Sequence, residues 1–272
     1  MDIDEELLGA AVEFAGTASR LAAQRFLQGA PAGTKADGSA VTTADIEVED
    51  LLRSLIAARF PADGVAGEER GESAGTSGRR WILDPVNGTA AFTLRIPMFN
   101  VLVAVEDEDG GAVSVISYPM SQEVYYAGRG RGCWHQVGDG APQRITVSGI
   151  RQLRGAAVEM VNPAIWTAEL LVALHREVML FSGVKTTSGV ASGLTDAMIA
   201  ASFPMGYEDV APIPVMVTEA GGRVSDLAGN DVLSGDGTIL ASNGHIHDAL
   251  LELVRDLPHG RDYQSLMQPR PS

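Results

Sequence analysis

Apolar residues recur at intervals of three and four in two segments near the start of the chain. In residues 4–27, and again from Thr43 or Asp45 onwards, they lie on one face of a predicted amphipathic helix. Between these segments, PAGTKADGSA (31–40) is rich in Gly, Pro, Ala and Ser, which predicts a loop. The pattern therefore predicts two early helices, each with one side to bury.

Short apolar runs replace this pattern further along the chain and predict strands. They lie at 81–83, 100–105 and 113–118. The segment EDEDGGA joins the last two runs and is typical of a hairpin. A further hairpin is predicted around EVYYAGRGRGCWHQ.

The second half of the chain alternates more regularly between the two patterns. Strands are predicted at 156–160, 178–182 and 238–242, and helices at 164–177, 210–220 and 247–257. The sequence has no internal repeat and no low-complexity linker. We therefore predict a mixed α/β protein whose two halves, 1–155 and 156–272, share one body.

The charge balance limits the classes of partner. The 272 residues include 35 acidic and 20 basic side chains, for a formal net charge of −15. This disfavours nucleic acid as a main partner, because its phosphates bind Lys and Arg. An acidic excess is usually a solvated surface, but clustered carboxylates can also hold hard cations.

Two further features bound the compartment and the chemistry. Cys133 is the single cysteine, so neither an internal disulfide nor a cysteine-based zinc site can form. The start, MDIDEELLGAAVEF, lacks the basic and then apolar layout of a signal peptide, and no apolar stretch is long enough to span a bilayer. We expect a cytoplasmic protein without a membrane partner.

Acidic residues stand at three boundaries of the predicted elements. Glu68 in GEER and Asp84 in WILDPVNGT follow apolar runs at predicted strand ends. Glu208 and Asp209 in GYEDVAP precede a predicted helix. Each acid alone is a common capping feature. Together, carboxylates at strand ends offer the hard oxygen ligands that Mg²⁺ prefers, with room for water and a phosphate oxygen.

Small residues beside these acids suit an anionic ligand. Gly88 lets the backbone approach a ligand, and the N–H groups at the start of a following helix would face an anion. Thr89 adds a hydroxyl that could orient a water. Asp45 in VTTAD lies near a helix start, where a capping role is the simpler interpretation.

Four segments, taken in order, carry a family resemblance. VTTAD, GEER, WILDPVNGTAAF and EDVAPIPVMVTEAGGRVSDLAG, which run from residue 41 to residue 229, resemble the inositol monophosphatase family of Mg²⁺-dependent, lithium-sensitive phosphatases. The resemblance implies an α/β sandwich of alternating helix and sheet layers (αβαβα), a metal site between the two halves, and a homodimer. The first half would carry most metal ligands and the second half would complete the site.

The resemblance also assigns ligands for two or three Mg²⁺ ions. Glu68 matches the ligand of the first metal and of a more loosely held third. Asp84 matches the aspartate that bridges two metals, and the carbonyl of Val86 matches a backbone ligand. Asp209 matches the acid that completes the second metal site. The family residue at position 87, here Asn87, is a further ligand of that second metal.

Catalytic and phosphate-binding roles follow in the same way. Asp45 and Thr89 match the pair that polarises the attacking water, with Glu68 as a further catalytic residue. The N–H groups of Gly88 and Thr89 match the phosphate cradle. Such a set suits phosphoryl transfer, which needs positioning and charge neutralisation more than a covalent nucleophile.

Asn87 departs from the family, which has aspartate at this place in DPxDGT, where it serves the second metal and the substrate's hydroxyls. An asparagine keeps an oxygen ligand but removes a full negative charge, so the second metal should bind more weakly. Three explanations stay open. Asn87 is native to an enzyme with a different substrate, or an inactivating substitution made to trap a complex, or the mark of a member that has lost catalysis.

Two further departures concern the substrate. Glu208 stands in place of an aromatic residue, and Ser202 in place of an inositol-binding glutamate; with Asn87 they are the candidate substrate-binding residues. A site that loses hydroxyl-binding groups loses affinity for that substrate, which argues against myo-inositol phosphate. The segment EDVAPIPVMVTEAGG resembles the histidinol-phosphate phosphatase branch of the family.

The predicted function is Mg²⁺-dependent hydrolysis of a small phosphate monoester by a metal-activated water. Sugar, cyclitol, amino-alcohol and nucleoside phosphates stay open as substrates. The alternative is a catalytically impaired family member that binds a phosphorylated metabolite or a partner protein. The presence of both Asp45 and Thr89 favours an enzyme, a phosphoric monoester hydrolase.

Overall fold

The chain forms two compact units that are not successive halves of the sequence. The computed structural model describes residues 3–29, 32–34, 40–183, 185–201 and 205–260. One unit consists of Met1–Ile145 with Gly206–Glu219, and the other of Thr146–Met205 with Ala220–Ser272. The prediction of two halves, 1–155 and 156–272, did not anticipate the return of residues 206–219 to the first unit.

Helices and strands alternate along the described residues. In chain order, the helices are α1 (Glu5–Gln28), α2 (Thr43–Arg59), α3 (Thr89–Thr93), α4 (Ala168–Glu177), α5 (Thr186–Ala191), α6 (Tyr207–Val210), α7 (Pro212–Glu219) and α8 (His247–Val254). The strands are β1 (Ala32–Thr34), β2 (Ala40–Thr42), β3 (Gly64–Gly67), β4 (Gly71–Ser73), β5 (Arg80–Asn87), β6 (Asn100–Asp107), β7 (Gly110–Tyr118), β8 (Glu123–Gly128), β9 (Gly132–Val137), β10 (Gln143–Ile145), β11 (Ala157–Val161), β12 (Met179–Phe181), β13 (Ala197–Ala200), β14 (Arg223–Ser225) and β15 (Ile239–Ser242). None of the described helices combines the length and the apolar character needed to cross a membrane.

A large sheet, antiparallel except for one pair, forms the centre of the first unit. Its described strands lie in the order β10-β9-β8-β7-β6-β5-β3-β4, and β3 runs parallel to β5. Side chains alternate between the two faces of a strand. Trp81 and Leu83 of β5 therefore pack with α1 and α2, whereas Ile82 packs with Ala104 and Ala211. Helices thus cover both faces of this sheet.

Local chemistry sets the ends of the first helix. Asp4 caps α1 by accepting the Glu6 N–H at 3.0 Å. Gly29 ends the helix in the left-handed conformation, with φ 78°. Between these ends, Phe14 lies against Trp81, with 5.7 Å between the ring centroids. The helix predicted at 4–27 is confirmed with almost the same bounds.

The second unit repeats the layered arrangement on a smaller scale. Its described sheet has the strand order β12-β11-β13-β15-β14, with β11 parallel to both β12 and β13. On one face, Leu170 of α4 and Leu250 of α8 share a buried cluster with Val158. On the other face, Thr187 of α5 contacts Met198. The predicted α/β class with layered helices and sheets is confirmed.

Three predicted segments differ from the structure. The loop predicted at 31–40 contains β1, and β2 begins at its last residue, Ala40; the two strands pair antiparallel and, with three residues each, are too short to show an apolar period. The helix predicted at 164–177 begins only at Ala168, after a 3₁₀ turn. Within the predicted helix 210–220, α7 begins at Pro212, because proline suits the first turn of a helix.

A buried histidine joins two strands of the second unit. His247 is fully buried; its Nε2 lies 3.0 Å from Oγ of Ser225 and its Nδ1 lies 2.9 Å from Oγ of Ser242. Ser225 donates its own proton to the Asp226 carbonyl, so its oxygen accepts the Nε2–H. The imidazole is held neutral in this setting, and burial lowers the pKa of His247 to about 4.

We expect His247 to make the fold sensitive to acid. The unfolded chain takes up this proton near the ordinary pKa of 6.5 and the folded chain only near 4, so stability is lost as the pH falls through this window. The whole shift corresponds to about 3 kcal/mol of unfolding free energy. Urea unfolding at about pH 7 and about pH 4.5 should show a smaller loss for His247→Gln than for the wild type. Equal losses would contradict this role of the imidazole.

Candidate active site

Two parallel strands bring the first pair of acids together. β3 and β5 pair with Gly67 opposite Leu83, and the Glu68 N–H donates to the Leu83 carbonyl at 3.2 Å. Glu68 therefore leaves β3 beside Asp84 on β5. The carboxyl ends of parallel strands lie at the same edge of a sheet, which is why acids from separate motifs meet here.

Asp84 lies where β5 loses its regular pairing. Pro85 has no N–H, and the register between β5 and β6 shifts beyond Asp84. Asp84 is 3% exposed, and its Oδ1 accepts the Val86 N–H at 3.2 Å. Burial raises the pKa of Asp84 well above its ordinary value, and the charges of Asp209 and Glu68 raise it further.

Asp45 serves two neighbours with its two oxygens. Its Oδ2 accepts the N–H and the hydroxyl of Thr42 at 2.8 and 2.5 Å, in a capping box at the start of α2. Its Oδ1 lies 3.3 Å from the Thr89 hydroxyl, which also lies 3.0 Å from the Val86 carbonyl. Burial raises the pKa of Asp45, and the hydrogen bonds from Thr42 offset part of this effect.

Gly88 turns the chain sharply from β5 into α3. Its φ is 93°, in the left-handed region, and an added Cβ would lie 3.1 Å from the Met98 carbonyl. Its own carbonyl accepts the Phe92 N–H at 3.0 Å. Glycine is therefore favoured here on conformational and steric grounds.

Asp209 reaches this group from α6. Its Oδ2 accepts the Gly206 N–H at 3.0 Å, and its Oδ1 accepts an N–H of the Asn87 amide at 2.7 Å. Burial, followed by the charge of Glu208, raises the pKa of Asp209 to about 7. Two residues separated by 122 positions along the chain thus share a hydrogen bond within the first unit.

Tyr207 anchors α6 to the sheet. Its hydroxyl donates to Glu106 on β6, and the Arg80 guanidinium lies over its ring, 5.4 Å from the centroid. Arg80 also donates to Glu106 at 3.0 Å. These contacts position the neighbouring Asp209.

The order of these residues along the chain agrees with a known family. The profile of the inositol monophosphatase family matches residues 3–259. The chain belongs to this family.

Relatives of the inositol monophosphatase family resemble the chain over most of its length. A histidinol-phosphatase of Mycobacterium tuberculosis is 34% identical over 225 residues, covering 80% of this chain and 85% of that protein. An inositol-1-monophosphatase of Caulobacter vibrioides is 33% identical over 229 residues, covering 79% of this chain and 87% of that protein. The crystal structure of the extragenic suppressor protein SuhB from Bartonella henselae matches with a TM-score of 0.82 at 26% identity, covering 93% of this chain and 100% of that one. The predicted family is confirmed.

The donor set of this family member suits a hard cation. Within the described part of the chain, no three side chains of His, Cys, Asp or Glu are placed at the spacing of a metal centre. The charges of Glu68 and Asp209 nevertheless act on Asp84, which is buried. A divalent cation with oxygen ligands would relieve this repulsion, and the Val86 carbonyl is a further hard donor. The residues present therefore fit Mg²⁺.

The described site residues that the sequence predicted all belong to the first unit. They are Asp45, Glu68, Asp84, Val86, Asn87, Gly88, Thr89, Glu208 and Asp209. Ser202 lies outside the described residues. Their roles as ligands, catalysts and substrate contacts stay predictions.

Sequence reasoning missed three residues that hold the site in place. Thr42 and Gly206 bind the carboxylates of Asp45 and Asp209, and Tyr207 anchors α6. The pattern T-x-x-D from Thr42 to Asp45 is that of a capping box and could have identified Thr42. For Tyr207, the sequence shows only an aromatic residue beside an acidic pair, which points to no particular partner.

Proposed function

We propose that this chain hydrolyses a small phosphate monoester with Mg²⁺ and a water activated beside Asp45 and Thr89. It is a phosphoric monoester hydrolase of the inositol monophosphatase family. The observation that carries the proposal is the buried Asp84, on which the charges of Glu68 and Asp209 act. Such repulsion is costly without a cation, and a strongly perturbed carboxylate is typical of a functional site.

The residues divide the tasks of phosphate hydrolysis. The carboxylates of Glu68, Asp84 and Asp209 and the Val86 carbonyl would hold Mg²⁺. When bound, this ion supplies positive charge that interacts with the phosphate and lowers the pKa of a bound water. Asp45 is placed to accept a proton through the Thr89 hydroxyl, 3.3 Å from its Oδ1. The turn at Gly88 leaves the N–H groups of Gly88 and Thr89 at the start of α3, where they would orient phosphate oxygens.

Glu208 favours a substrate with a positively charged group. Its charge raises the pKa of both Asp84 and Asp209, so it adds to the negative field of the site. This field attracts the ammonium group of an amino-alcohol phosphate, whereas a neutral cyclitol ring gains nothing from it. The relative at 34% identity is named a histidinol-phosphatase, which agrees with this proposal.

Phosphate release from a panel of monoesters tests the proposal. The panel contains histidinol phosphate, inositol 1-phosphate, a sugar phosphate and a nucleoside monophosphate, each with Mg²⁺ and with EDTA. We expect Mg²⁺-dependent turnover that is highest for histidinol phosphate. Glu208→Gln should lower kcat/KM for histidinol phosphate by roughly tenfold, because a charge-assisted contact is lost. The kcat/KM for the sugar phosphate should change little.

Each arm of this panel can fail separately. No phosphate release from any substrate would overturn the proposed hydrolase activity and favour a catalytically impaired family member that only binds its ligand. Turnover that survives EDTA would overturn the metal dependence. Equal losses on both substrates in Glu208→Gln would overturn the preference for a cationic group.

We also propose the homodimer that the family resemblance implies. Leu94, Ile96 and Met98 follow α3 and are between 40% and 72% exposed, although large apolar side chains are mostly buried in monomers. A second copy of the chain would cover them. Light scattering gives the mass of the protein in solution, which we expect to be twice that of one chain. A mass equal to one chain would overturn the proposed dimer.

A further inference from the structure

The amide of Asn87 occupies one side of Asp209. Nδ2 of Asn87 lies 2.7 Å from Oδ1 of Asp209, and the nitrogen of Gly206 lies 3.0 Å from Oδ2. Each oxygen of this carboxylate therefore accepts a donor from the chain itself. The orientation of the amide follows from charge, because its oxygen in place of the nitrogen would face a carboxylate oxygen at the same short distance.

The hydrogen bond between Asn87 and Asp209 supplies part of the electrostatic stabilisation that a bound cation would give the carboxylate. Two carboxylates at such a distance repel and need a cation between them, whereas an amide N–H and a carboxylate attract. To serve as a ligand, Asn87 must turn its oxygen toward the cation and lose its bond to Asp209. A cation shared by these two residues is thus opposed by an interaction that an aspartate at position 87 would not make.

We propose that Asn87 takes the place of one cation at Asp209, so that this chain binds one divalent ion fewer than the same chain with aspartate at position 87. The inference rests on the proposed function, because it concerns how the proposed Mg²⁺ site is filled. It narrows the ligand set to Glu68, Asp84 and the Val86 carbonyl, with Asp209 as a hydrogen-bonded neighbour.

Counting bound Mn²⁺ by electron paramagnetic resonance on the full chain tests this inference. We expect Asn87→Asp to bind one ion more than the wild type at saturation. Asn162→Asp makes the same chemical change on an exposed residue of the second unit and is the matched control, with the wild-type number of ions. Intact mass must show that Asn87, which precedes a glycine, has not deamidated in the wild type.

A second variant keeps the test independent of one substitution. If the Asn87 amide already satisfies Asp209, Asp209→Asn should bind the same number of Mn²⁺ ions as the wild type; the loss of one ion would overturn the inference. In EDTA, Asn87→Asp should unfold at a lower temperature than the wild type and gain more from added Mg²⁺. A variant that folds only with Mg²⁺ present would support the same conclusion.

The two proposals fail in different ways. Equal, non-zero numbers of Mn²⁺ ions in the wild type and Asn87→Asp overturn this inference alone. No bound Mn²⁺ in any variant, together with no phosphate release, overturns the proposed function and the inference with it.

Discussion

Asp84→Asn should lower kcat for phosphate release by roughly a thousandfold, the effect of several kcal/mol of lost charge stabilisation. Asp84 is 3% exposed, and the charges of Asp209 and Glu68 both act on it. The substitution therefore removes the carboxylate that interacts with both of the other acids. Phosphate release at saturating substrate and Mg²⁺ measures the loss. Asp107→Asn, which breaks an ion pair with Arg129 elsewhere in the first unit, is the control and should keep most of the rate.

Asp84→Asn should also be more stable than the wild type when no metal is present. Because the pKa of Asp84 is raised in the fold, stability is lost as the pH rises toward that folded pKa, and the ionised form is unfavourable above it. Asparagine removes the charge and keeps an oxygen that can accept the Val86 N–H. Urea unfolding in EDTA at about pH 8 measures this gain. An Asp84→Asn protein that is inactive and also less stable would contradict the assignment.

Thr89→Ala should lower kcat by roughly a hundredfold and leave KM nearly unchanged, as for the loss of a group that handles a proton. The Thr89 hydroxyl lies 3.0 Å from the Val86 carbonyl and 3.3 Å from Oδ1 of Asp45. It is therefore placed to pass a water proton to a carboxylate whose other oxygen is held by Thr42. Alanine removes this link and leaves the acids in place.

Thr89→Ser is the matched variant for this prediction. Serine keeps the hydroxyl and should retain most of the wild-type rate. Thermal unfolding of both variants separates the hydrogen bond to the Val86 carbonyl, which only the alanine variant loses, from the effect on catalysis. Equal rates for the alanine and serine variants would exclude a catalytic role for the hydroxyl.

Most of the regular structure could be predicted from local patterns. The apolar period over 4–27 identified α1, and Asp4 and Gly29 cap it as their chemistry predicts. The EDEDGGA turn lies between β6 and β7 as expected. The pair β1 and β2 escaped prediction, because three residues give no measurable period.

The candidate site was predictable as a set of residues but not as a set of contacts. Glu68 directly follows β3, and Asp45 and Asp209 lie in the first turns of their helices, as expected. Asp84, expected at a strand end, lies within β5, which continues to Asn87. Asp45 shows the limit of this information: it completes the capping box of α2 with Thr42, as its local pattern indicates, and faces Thr89 with its other oxygen. The second contact depends on where β5 ends, which no pattern around Asp45 contains.

The sequence by itself determined most of the strand and helix types and the helix start after Gly88, because these depend on neighbours a few residues away. Only the tertiary structure decided that residues 206–219 join the first unit and that Asn87 donates to Asp209 across 122 positions. It also decided that burial raises the pKa of Asp84. Packing of helices on a sheet removes water from these groups and brings distant segments together, and both effects depend on the whole fold.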